Sequence, residues 1–124
     1  ISFNSLGAKE RALETYETLY LKTDEYQTLY QMAFLQYELK KFTESKTNAD
    51  ILMSKKEAEE RKAVFNDAEG NQIEYPIKVA LWNLKGLIAK EEGDKSSAEK
   101  FFNEALAISP DFQMAKDNLA ALKN

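Results

Sequence analysis

The sequence predicts an all-α fold built from stacked helix hairpins. Three observations carry that expectation. The 124-residue chain holds only four glycines and two prolines, too few breakers for a loop-rich β protein. From Trp82 to Pro110, large and small residues alternate at helical spacing: Trp82, Gly86, Ala98, Phe102 and Ala105. A Gly93-Asp94 break sits between the two halves, and Pro110 closes the stretch. The result is a helix–turn–helix unit of roughly 34 residues, the size of a solenoid repeat. The chain also aligns with itself. A shift of 53 residues lays Leu29 on Trp82, Ala33 on Gly86, Ser45 on Ala98, Ala49 on Phe102 and Leu52 on Ala105. A shift of 33 lays Ala12 on Ser45, Tyr16 on Ala49 and Leu19 on Leu52. One repeat accounts for the shorter shift. The longer one requires about 19 additional residues between the second and third units.

The elements follow in order. A first helix is expected over about 5–22, with Ala8, Ala12, Tyr16 and Leu19 on one face. Asp24 reads as an N-cap, with Gln27 three residues on completing a capping box. A second helix covers about 25–40, and Phe42-Thr43 marks the turn into a third that runs to about 64. Residues 64–76 contain a turn cluster around Glu69-Gly70-Asn71, flanked by Val64-Phe65 and by Ile73 and Tyr75. They read as a hairpin-like loop. A fourth helix starts near Pro76 and ends at Gly93, a residue suited to the left-handed C′ position. A fifth opens at Asp94 or Lys95-Ser96 and runs to about 108. Pro110 stops it, and Asp111 caps a last helix over about 112–123.

Composition excludes several classes of function. Hydrophobic residues make up 44% of the chain, more than a disordered tail carries. The net charge of −4, with acids and bases interspersed, lacks the basic face that nucleic-acid binding requires. No apolar run approaches the roughly 20 residues of a membrane span. With no cysteine and no histidine, disulfides, thiolate metal sites and the commonest general base are all missing. Opening on Ile1 rather than Met implies that upstream sequence has been removed. The compartment stays open between the cytoplasm and, if a secretory leader was cut, the periplasm or exterior.

The unit VALWNLKGLIAKEEGDKSSAEKFFNEALAISP, residues 79–110, resembles the tetratricopeptide repeat (TPR). It carries that family's Trp, Gly, Gly-Asp, Ala, Phe, Ala-Leu and Pro in order. Tyr26 to about Glu59 is a weaker copy, with Ala33, Tyr37, Phe42 and Leu52, but with Ser45 at the small position and no closing proline. The resemblance implies a single domain forming a right-handed α-α superhelix. Its parts are the second helix of a partial repeat (5–22), a repeat (26–59), an extended helix end and insertion (60–78), a repeat (79–112) and a capping helix (113–124). Physically, Gly86 and Ala98 let two helices approach closely, while Trp82 and Phe102 fill the gaps beside that contact. Lys85 departs from the apolar residue usual before the Gly, and Leu84 is expected to take over its packing.

The resemblance also implies a protein or peptide partner held in a concave groove lined by the first helix of each unit. The groove residues would be Gln27, Tyr30, Phe34 and Tyr37, then Asn83, Leu87, Lys90 and Glu91, continued by Met114 and Asp117. Phe34 could equally pack between helices, and Leu87 reads more readily as packing there. With Tyr30, Phe34 and Leu87 at the positions of the family's carboxylate clamp, no such clamp is expected. Tyr16, Tyr20, Tyr26, Tyr30 and Tyr37 recur at helical spacing and read as core and groove walls.

Asp67, Glu69 and Asn71 alternate oxygen ligands around Gly70. A calcium loop counted from Asp67, however, needs Gly at its sixth position and Glu at its twelfth, where Gln72 and Lys78 stand. Neither a metal nor a cofactor is expected. The expected function is a non-enzymatic scaffold or adaptor that binds through the groove or through residues 60–78. The alternative is self-association as a homodimer through the open N-terminal face or the insertion. An enzyme would have to rely on Asp, Glu, Lys or Tyr pairs alone.

Overall fold

The computed structural model describes residues 3–23, 25–67 and 69–123. Seven helices and one two-stranded antiparallel sheet occur among them. In chain order they are α1 (Phe3–Thr23), α2 (Tyr26–Glu38), α3 (Phe42–Ser54), α4 (Glu57–Glu60), β1 (Lys62–Asn66), β2 (Gln72–Pro76), α5 (Ile77–Glu91), α6 (Lys95–Ile108) and α7 (Gln113–Leu122). No helix is long and apolar enough to cross a membrane. The chain divides into two compact units, Ile1–Leu52 and Met53–Asn124.

In the first unit, α2 and α3 form a helix hairpin. Ser45 and Ala33 are both fully buried, and the Ser45 hydroxyl donates to the Ala33 carbonyl at 2.7 Å. Tyr26 is buried and its hydroxyl donates to the Leu52 carbonyl at 3.0 Å, tying the start of α2 to the end of α3. Asn48 donates to Gln36 at 2.7 Å, which satisfies an amide that is otherwise enclosed. The Tyr37 and Phe42 rings meet across the turn, with centroids 5.8 Å apart.

The second unit repeats this construction with larger side chains. Phe102 is wholly buried and its ring lies against Gly86, where a Cβ would come within 2.9 Å of Cζ. Only a residue without a side chain lets α5 and α6 approach this closely. Trp82 is half-buried. It stacks on Phe101 with centroids 5.7 Å apart, and the Lys85 ammonium lies 5.0 Å from the Trp82 ring and 4.9 Å from the Phe101 ring. That cation–π contact gives Lys85 a place at an apolar position. Leu84 is fully buried, as expected.

The two hairpins turn alike. After α2, Lys40 adopts φ 64°, and after α5, Gly93 adopts φ 82°. In each case the C′ amide reaches the C2 carbonyl (Lys40 to Tyr37, 3.0 Å; Gly93 to Lys90, 3.1 Å). The next amide reaches the C3 carbonyl (Lys41 to Gln36, 2.7 Å; Asp94 to Ala89, 2.9 Å). Both are Schellman motifs, and the 53-residue shift superposes them bond for bond. Asp94 then caps α6, its carboxylate accepting from the Ser97 amide at 3.1 Å.

Three sequence expectations are corrected. The third helix ends at Ser54, not near 64. After the short α4, residues 62–66 are a strand whose exposure alternates along its length. Pairing Phe65 with Ile73 and Ala63 with Tyr75 puts both aromatic side chains on one face, a gain that a continued helix would forgo. At the start of α2, Asp24 lies outside the described residues. The N-cap position is Glu25, without a side-chain cap, so Gln27 falls at N2 rather than at the N3 position of a capping box. At the start of α7, Phe112 rather than Asp111 occupies the N-cap, again without a side-chain cap. Burial of the Phe112 ring sets this helix start in place of a carboxylate. The expected hairpin between residues 60 and 78 is present, and Pro76 directly precedes α5.

Candidate functional site

The insertion forms one wall of a cleft. Phe65, Ile73 and Tyr75 present the inner face of the hairpin, and the opposing wall is the chain from Asp111 into the first turns of α7. Three rings meet edge to face at its floor. Their centroids are 5.8 Å apart for Phe65–Tyr75, 5.2 Å for Phe65–Phe112 and 4.9 Å for Tyr75–Phe112. Tyr75 and Phe112 are buried and belong to the same core as Val79, Phe102 and Ala105, so the cleft floor is continuous with the interior of the unit. The open volume is about 470 Å³, within the size range of sites that take a side chain or small ligand.

The walls are acidic. Asp67, Glu69, Asp111 and Asp117 line the cleft, and no lysine or arginine does so among the described residues. Asp67 is built into the hairpin turn: its Oδ1 accepts from the amides of Glu69 and Asn71, both at 2.9 Å. An oxygen engaged by two amides is a turn-former, and this accounts for the alternating acids that faintly resembled a calcium loop. Asp117 accepts from Gln113 at 2.8 Å along α7. The Tyr75 hydroxyl reaches toward the Asp111 carbonyl at 3.4 Å, at the long limit for a hydrogen bond. Burial, and then the carboxylates of Asp111 and Asp67, raise the Tyr75 phenol above its ordinary value. Tyr75 is therefore a neutral donor in a negative field.

The anticipated partner-facing residues fall in several places. Met114, 47% exposed, and Asp117 line the cleft. Asn83 is buried, and its amide oxygen accepts from Asn118 at 2.9 Å, so this side chain is spent inside the unit. Leu87 is half-buried and packs on the second unit's core, while Lys90 and Glu91 are exposed. On α2, Gln27 is exposed, and Tyr30, Phe34 and Tyr37 are half-buried. The Tyr30 and Phe34 rings pack together at 4.8 Å. Burial, with a smaller contribution from Tyr26, pushes the Tyr30 phenol up to about 12.

Sequence reasoning missed Phe65, Tyr75 and Phe112 as a single cluster. The available signal was the alternation of Phe65, Ile73 and Tyr75 about the turn, which puts all three on one face of a hairpin.

Residues 79–112 match the family model described as Tetratricopeptide repeat. No curated protein matches the chain. Repeats of this family serve in general as protein–protein interaction modules. The matched segment takes in α5 from Val79 onward and the whole of α6, packed together through Gly86 and Phe102, and ends at the Phe112 N-cap of α7. Residues 79–112 are thus similar in sequence to a tetratricopeptide repeat, and α5 and α6 form the helix hairpin that this similarity implies.

Proposed function

We propose that this chain is a non-enzymatic adaptor that contacts a peptide or protein segment through the cleft between the hairpin and α7. The observation that carries the reading is the cleft itself. It is an aromatic floor edged by Met114, Asp117 and the turn acids, on a unit whose remaining apolar residues are largely consumed by its own core. Aromatic and methionine side chains beside polar anchors are the composition of contact surfaces. Tyr30, Phe34 and Tyr37 of α2, with Gln27, are a second candidate contact, whereas Asn83 and Leu87 are occupied within their own unit.

Site-specific photo-crosslinking tests the reading. A benzophenone side chain is placed singly at Met114, at Gln27 or at Glu104, and the chain is irradiated in lysate of its source cells. Adducts concentrated at position 114 support the cleft. Adducts at position 27 without any at 114 move the contact to α2. An adduct pattern equal to that of Glu104, on the exposed side of α6, overturns both assignments.

A further inference from the structure

We propose that the cleft selects a basic partner segment, inserting one arginine or lysine side chain between the hairpin and the start of α7. This inference rests on the reading of the cleft as the contact surface and adds the chemistry of what enters it. Three features argue for a cationic side chain rather than any other occupant. The floor is apolar and aromatic, so it favours an occupant with a methylene stem and disfavours a hydrated ion. Four carboxylates line the walls with no lysine or arginine beside them among the described residues, so an acidic or phosphorylated segment would meet repulsion there. The face of an aromatic ring attracts a cation further, and Phe65, half-buried, is the ring at the floor that retains exposed surface.

The first turn of α7, which has no side-chain cap, acts in the opposite sense, because its amides favour negative charge. Among the described residues, Glu69 and Asp111 are exposed wall carboxylates with no amide or side-chain partner of the kind that occupies Asp67 and Asp117, and each acts against an incoming anion. The amides of α7 remain able to receive a neutral carbonyl oxygen from the partner's backbone beside the inserted cation.

The test is a titration of the isotope-labelled chain, followed by amide NMR. Three capped pentapeptides are used, Gly-Leu-Xaa-Leu-Gly, with arginine, citrulline or glutamate at the centre. Citrulline keeps the length and planar shape of arginine but is neutral, with a carbonyl acceptor in place of one NH2 donor. The arginine peptide is expected to shift amides of residues 65–75 and 111–117, binding at least about fivefold more tightly than the citrulline peptide, the worth of one modest charge contact. Asp111→Asn with Asp117→Asn should abolish that preference and leave the melting curve unchanged. Glu99→Gln with Glu104→Gln, an equal charge change on α6, should preserve it. Equal binding of arginine and citrulline peptides, or tighter binding of the glutamate peptide, overturns the cationic assignment and leaves the cleft as a docking surface. Absence of cleft shifts with all three peptides overturns the assignment, and loss of the crosslinks at position 114 as well would overturn the underlying reading.

Discussion

The hydroxyl of Ser45 and the carbonyl of Ala33 meet at 2.7 Å where α2 and α3 cross, both residues fully buried. A serine stands where the second hairpin has Ala98, and it resolves its polarity by donating into the facing helix. The Ala33 carbonyl is thereby a second-time acceptor, using its other lone pair. Ser45→Ala is expected to lower stability by only about 1 kcal/mol, because no buried group is orphaned. Ser45→Val has no donor and adds volume, and should cost about 1–3 kcal/mol. Urea denaturation of both variants separates the two terms, and a larger loss in the alanine variant would contradict this account.

Gly86 faces the Phe102 ring with no room for a methyl group. Alanine would gain about 1 kcal/mol of helix propensity at an unconstrained site. Here the ring has nowhere to go, and Gly86→Ala should destabilise by about 1–3 kcal/mol net. In a double-mutant cycle, Phe102→Leu should cost less in the Gly86→Ala background than alone. Additive losses would show that the two residues do not interact.

Lys40 holds a left-handed conformation, φ 64°, at the position where the second hairpin has Gly93. A side chain there carries a penalty of about 1 kcal/mol. Lys40→Gly should therefore raise stability by up to about that amount, while Gly93→Lys should lower it. Thermal melts of the two variants are expected to move in opposite directions.

The Tyr30 phenol, raised to about 12, makes stability depend on alkaline pH. The folded chain holds this proton more tightly than the unfolded chain, whose tyrosine titrates near the ordinary phenol value of 10.0. The associated stability is fully present below pH 10 and declines as pH rises toward about 12. Tyr30→Phe should flatten that part of the stability–pH curve, measured by denaturation at pH 9, 10 and 11. An unchanged slope would contradict the shift.

The periodic parts of this chain were legible in its sequence. Gly86, Ala98, Phe102 and Ala105 fall on facing helix stripes, and Gly93 announces its own φ. Lys40 shares that conformation, and only the 53-residue shift pairs it with Gly93. The boundary near residue 60 was not legible, because Lys55 to Lys62 is a charged stretch of good helix formers and the strand signal that follows spans five residues. Asn83 looked like a solvent-facing amide, since its partner Asn118 lies 35 positions away and no local pattern joins them. The cleft was half visible for the same reason. Met114 and Asp117 could be placed on a helix face, but the meeting of Phe65 with Phe112 is a long-range contact that has no period.

The hairpin wall has a practical consequence for anyone dissecting this protein. Phe65 and Tyr75 cover Phe112, the residue from which α7 departs. Excising residues 62–76 would leave that ring bare and the final helix without its foundation. A truncated chain that fails to capture a partner would then be reporting collapse rather than a lost handhold. The turn from Asp67 to Asn71 closes on its own hydrogen bonds. Charge swaps at Glu69 or side-chain grafts at Met114 can therefore interrogate recognition while the masonry behind them stays in place.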